Sequence, residues 1–88
     1  MINRTITHNN GRIYTILDER VPDTLLSYST EYGTHYVIAW KLNYLENGRC
    51  DWEQGHYFME NEQDARRSMV YREHDRQGRT PSRPTREI

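Results

Sequence analysis

The sequence predicts an α+β domain: a small antiparallel sheet of three to four strands, arranged as a meander of hairpins, with one C-terminal helix packed on one face and a flexible tail. Three observations carry that prediction. β-Branched and aromatic residues recur in short runs between turn signals, most clearly at 13–17 and 35–45. Asn47-Gly48 interrupts the longest apolar stretch where a hairpin would reverse. Beyond residue 60 the chain changes to charged helix formers, with Asn61 at their head. Eighty-eight residues suit one domain, assigned to 1–78, followed by the tail at 79–88.

Residues 1–11 are polar and close on Asn9-Asn10-Gly11, a turn signal. Ile13-Tyr14-Thr15-Ile16-Leu17 reads as the first strand. Val21-Pro22 favours an extended or turn geometry and is expected to end any ladder there, because proline has no N–H to donate. Leu25-Leu26-Ser27-Tyr28-Ser29 is a second, weaker strand; the competing reading is a helical turn capped by Asp23 or Thr24. Glu31-Tyr32-Gly33-Thr34 reads as a turn, and 35–45 and 49–58 as the two arms of a long hairpin.

Two registers are open to that hairpin. A two-residue Asn47-Gly48 turn sets Ile38 opposite Tyr57. A three-residue loop, with Gly48 left-handed in a bulge, sets Leu45 opposite Arg49, Leu42 opposite Trp52, Lys41 opposite Glu53 and Tyr36 opposite Phe58. The second gathers Tyr36, Ile38, Trp40, Leu42 and Tyr44 with Phe58, His56, Trp52 and Cys50 on one face. It leaves Lys41, Asn43, Asp51, Glu53 and Tyr57 on the other. That separation of rings from charges selects the three-residue loop.

Asn61 is a good N-cap, and Asp64 three residues on completes a capping-box-like exchange. Ala65, Met69 and Arg72 share a helical face, with Val70 and Tyr71 expected to widen it. Gly78 is the expected C-terminal cap. Two prolines, three arginines and little that is apolar mark 79–88 as a tail.

Composition narrows the function classes. The net charge is −1, so no overall field attracts polyanions or polycations. The distribution is uneven: residues 1–65 carry five cationic and ten anionic side chains, and residues 66–88 carry seven and three. One cysteine, Cys50, excludes a disulfide framework within the monomer and suits a reducing, cytoplasmic location. No apolar run approaches the roughly 20 residues of a membrane-spanning helix, so no membrane partner is expected.

Each candidate for chemistry has a plainer reading. Cys50 and His56 lie six residues apart on one strand, about 20 Å, too far for one ion to bridge. With no metal-ligand spacing among His8, His35, His56 and His74, neither a metal nor a cofactor is expected. His56 could serve as a general base, but reads better as a histidine at the core rim. Asp51 and Glu53, about 7 Å apart on a strand face, match paired-carboxylate spacing. The plainer reading is a solvated face with Glu53 paired to Lys41. Cys50 lacks a neighbour on its own face to stabilise a thiolate. No catalytic residue is assigned, and the chain is expected not to be an enzyme.

The expected function is a small non-enzymatic protein–protein interaction module. Its partner-binding residues would be Asp51, Glu53, Tyr57, Glu60, Glu62 and Asp64, an acidic edge suited to another protein's basic surface. A homodimer formed through an open sheet edge is a second expectation. The alternative is a single-stranded nucleic-acid binder. There, sheet rings such as Tyr36, Trp40, Tyr44, Trp52, Tyr57 and Phe58 would stack on bases, with Arg66, Arg67, Arg72, Arg76, Arg79 and Arg83 on the phosphates. In size and element content the chain is similar to small accessory or inhibitor-type proteins of phages and mobile elements. No motif carries that likeness, and it assigns no residue.

Overall fold

The computed structural model describes residues 3–78. In chain order they form β1 (Thr5–Thr7), β2 (Ile13–Arg20), β3 (Asp23–Thr30), β4 (Gly33–Trp40), β5 (Asn43–Tyr44), β6 (Cys50–Asp51), β7 (Gln54–Met59) and α1 (Glu62–Gly78). Five strands make one antiparallel sheet in the order β1-β2-β3-β4-β7, and β5 pairs with β6 in a separate two-stranded sheet. The α+β class stands, but the main sheet has five strands rather than three to four. The predicted cap at Gly78 and the tail at 79–88 turn on residues outside those described.

The added strand, β1, comes from the polar N-terminal stretch. It is three residues long with one buried side chain, Ile6, too short to display an alternation. Val21-Pro22 takes the turn geometry expected of it, and the ladder stops there. The pair forms the two-residue connection of a hairpin whose ladder runs down to Arg20 opposite Asp23, with a cis bond between the two residues. Proline's missing N–H costs nothing there, because it sits in the turn and outside the ladder. Asp23 and Thr24 are accordingly buried strand residues and cap no helical turn.

The long hairpin keeps the three-residue loop. Asn43 faces Asp51, Tyr44 faces Cys50, and Leu45 N–H donates to the Arg49 carbonyl at 2.7 Å. Gly48 has φ +85°, a conformation that favours glycine. The same register returns lower down, with Ile38 opposite His56 and Val37 opposite Tyr57.

Between these stretches the hairpin breaks. Lys41 takes φ +60°, its N–H turns to the Pro22 carbonyl at 2.9 Å, and Glu53 N–H bonds the Trp40 carbonyl at 2.9 Å. The expected Leu42–Trp52 and Lys41–Glu53 pairs do not form in either ladder. Lys41 instead holds its ammonium 4.5 Å from the centre of the Trp40 ring. A bulge at the far end places Met59, rather than Phe58, opposite Tyr36.

The break divides the single apolar face that alternation predicts. Leu25 and Ile38 pack under Ala65 and Met69 of α1, with Leu17, Tyr36 and Phe58 around them. Cys50, Leu42 and Trp52 fold the other way, onto Ile6, Tyr14, Ile16, Leu26, Val37 and Ala39. Tyr44 remains exposed. The sheet is thereby buried on both faces, which helps a short chain remove enough apolar surface from water.

The start of α1 follows its sequence signature. Asn61 Oδ1 accepts from the Asp64 N–H at 3.0 Å, and Asn61 Nδ2 donates to Asp64 Oδ2 at 2.8 Å. Ala65 and Met69 face the sheet, but Val70 and Tyr71 do not widen their stripe; they are 42% and 71% exposed. At about 100° per residue they stand roughly 140° and 120° round the helix from Ala65. Arg72 and Arg76 continue the sheet-facing stripe instead.

Candidate interaction surfaces

The feature most suggestive of chemistry is Asp23, a carboxylate with no exposed surface. Arg72 grips it with both arms of its guanidinium, Nε to Oδ2 at 2.9 Å and Nη2 to Oδ1 at 3.0 Å. Arg76 Nη1 adds a bond to Oδ2 at 2.6 Å, and its Nη2 donates to the Arg20 carbonyl at 2.9 Å. Arg20 in turn bonds Asp18 and Glu73. Arg72 Nη1 lies 3.4 Å from His56 Nε2, which accepts from it when unprotonated. Burial pushes the Asp23 carboxyl upward, but hydrogen bonds and charge from Arg72 and Arg76 outweigh that and hold it below the ordinary carboxylate range. Both its oxygens are engaged and it is screened from water. The cluster is therefore a clasp tying the β2–β3 turn to α1.

The opposite face carries a second polar anchor. His8 Nδ1 accepts from the Asn10 N–H at 3.1 Å, which leaves Nε2 to donate to Asp51 Oδ1, also at 3.1 Å. The ring centre lies 4.3 Å from that of Trp52 and 6.0 Å from that of Tyr14. Asn9 N–H bonds the Cys50 carbonyl at 2.8 Å, so the chain after β1 and the hairpin tip brace each other. Cys50 is wholly buried, and burial, then the Asp51 charge, pushes its thiol up. That environment opposes thiolate chemistry.

Asp51 ends β6 and Glu53 lies within the hairpin break, so strand alternation no longer sets them on one face as paired carboxylates. Among the described residues, no three His, Cys, Asp or Glu side chains gather where they could hold a metal ion. No described helix is long and apolar enough to cross a bilayer.

The residues predicted to bind a partner separate into two groups. Asp51 is held by His8, Glu62 by Arg66 at 2.9 Å and the Tyr36 hydroxyl at 3.2 Å, and Asp64 by Asn61 and Arg67. The Arg66 bond, ahead of a counteracting burial, depresses the Glu62 carboxyl. Glu53, Tyr57 and Glu60 are instead exposed along β7 and its two ends, with Tyr57 58% exposed and Met59 66%.

The arginines of the nucleic-acid alternative are similarly occupied. Arg66 and Arg67 pair with carboxylates one turn back, Arg72 and Arg76 close the Asp23 clasp, and Arg79 and Arg83 lie outside the described residues. Tyr36 and Phe58 pack under the helix and Trp52 in the second core, so these rings form no open stacking platform.

Among the open surfaces of the described residues, two carry exposed rings close to the predicted partner-binding and phosphate-binding residues. One is the outer side of α1, where Gln63, Arg67, Val70, Tyr71 and His74 form a shallow depression on a convex helix. The other is β7, an edge strand. Its Tyr57 ring lies back over Gly55: a Cβ at Gly55 would meet Tyr57 Oη at 3.0 Å and ring carbons at 3.1 Å. That contact holds an aromatic ring beside the open edge. Sequence reasoning singled out Tyr57 but passed over Met59, two residues on, which is also exposed. The chain matches no protein-family model, no curated protein and no solved structure at a significant level.

Proposed function

We propose that this protein is a small non-enzymatic interaction module, of the accessory or inhibitor type carried by phages and mobile elements, which binds another protein along the β7 edge. The observation that carries this reading is the pair of large exposed side chains, Tyr57 and Met59, on a strand whose outer side has no neighbour in the sheet. An unpaired edge offers main-chain donors and acceptors, and exposed aromatic and methionine side chains supply apolar contact. The internal pairing of Arg66, Arg67, Arg72 and Arg76 weighs against phosphate binding, since each would have to give up a carboxylate.

The test is affinity capture from the native host with wild-type protein and with Tyr57→Ser/Met59→Ser, each with and without nuclease. A partner protein that survives nuclease and is lost with the double substitution supports the reading. Loss of every partner on nuclease treatment overturns it in favour of nucleic acid.

A further inference from the structure

Resting on that reading, we infer that β7 accepts a basic, extended peptide segment as a sixth strand of the sheet. The sheet has two edges, and they are unequal. β1 has three residues and β7 has six. An edge strand directs alternate N–H and C=O groups away from its one neighbour, so length decides how well it can template another strand. At the far end of β7 the bulge and the bond from Asn61 N–H to the Phe58 carbonyl, 3.0 Å, close the ladder. The main-chain template is therefore 54–57, with Tyr57 and Met59 beside it to receive side chains of the added strand.

Charge identifies the occupant. Glu53 and Glu60 flank β7 and are both exposed, and neither belongs to an ion pair among the described residues. Of the neighbouring acids, Glu62 and Asp64 are each paired with an arginine, and Asp51 accepts a hydrogen bond from the His8 ring. Gln54–Met59 contains no Lys or Arg. Two exposed carboxylates outside any ion pair among the described residues thus stand at the two ends of β7, Glu60 with its carboxylate against Gly33 at the β3–β4 turn. A second copy fits poorly: antiparallel pairing of β7 with itself brings Glu53 of one copy toward Glu60 of the other, and like charges across strands repel. A segment with Lys or Arg near both ends and apolar residues between them matches the charges and the rings together.

The test uses the full-length protein, isotope-labelled for amide chemical shifts, and blocked peptides about ten residues long with one alternating Val-Thr centre. One peptide ends in lysines and one in glutamates; a third is the lysine peptide with alternate amides N-methylated. The lysine peptide is expected to shift amides at 54–57 and, at low salt, to bind about tenfold tighter than the glutamate peptide. That gap narrows at physiological salt. N-methylation abolishes binding, and Glu53→Lys/Glu60→Lys reverses the preference between the charged peptides. Equal binding of both charged peptides, indifference to N-methylation, shifts confined to the outer side of α1, or no binding at millimolar peptide overturns the inference. If the peptides fail while capture of a Tyr57-dependent partner succeeds, strand addition falls and the broader reading stands.

Discussion

The two faces of the sheet are closed by different physics. On one, α1 contributes only Ala65 and Met69 to the apolar contact, and its second half is held by the ions around Asp23. On the other, the hairpin tip lays Leu42, Cys50 and Trp52 on six buried apolar residues, with the His8–Asp51 bond at the rim. A helix with so narrow an apolar stripe has little of the packing that ordinarily stabilises helices. A buried carboxylate matched by two guanidiniums compensates through position: it fixes which turn of α1 meets the β2–β3 connection. The tip needs no such device, because aromatic and aliphatic burial holds it.

The largest effect is expected from breaking the clasp. Asp23→Ala leaves Arg72 and Arg76 without their shared anion, and losing one partner of a buried pair costs about 3–5 kcal/mol. Because both arginines keep some access to water, the lower end applies. Even so, the loss is a large fraction of the stability of a small domain. Urea unfolding checks it, and hydrogen exchange should show α1 losing protection before the tip. A next, smaller effect belongs to the other face. Trp52→Ala removes a half-buried ring and should cost about 2 kcal/mol, with exchange rising around β5, β6 and His8 while α1 stays protected. If both substitutions expose α1 equally, the two faces are not separable units.

Acid sharpens the contrast with the smallest perturbation. The Asp23 carboxyl is depressed in the folded state, so its contribution is complete above the unfolded value of 3.8. It is lost as pH falls through the lower, folded value. Unfolding midpoints should therefore drop below about pH 4, with α1 detaching first. Asp23→Asn should flatten that part of the acid limb, and an unchanged limb would show that the clasp does not control it.

Local features were legible wherever their causes are local. The Asn61–Asp64 cap, the Gly48 loop and the register of 37–40 against 54–57 each depend on residues close in sequence or on one turn's geometry. The exposed Tyr57 followed from strand alternation. The Asp23 clasp did not, because Arg72 and Arg76 lie 49 and 53 residues away and arginines on a helix ordinarily face water. Val70 and Tyr71 went astray because hydrophobicity alone was counted, while the stripe is completed by cations whose charges are matched from across the fold.

What the sequence determined by itself is the α+β class, the turns and helix start that punctuate it, and the pairing of residues near a reversal, because these follow from backbone preference and short-range periodicity. Tertiary structure alone decided that the hairpin breaks at Lys41, that its tip covers the face opposite the helix, and which carboxylates stay outside any ion pair among the described residues. An alternating strand shows which residues share a side only while it stays continuous. Once both faces of a sheet must be covered by one short chain, the burial available at each face decides where the strand bends.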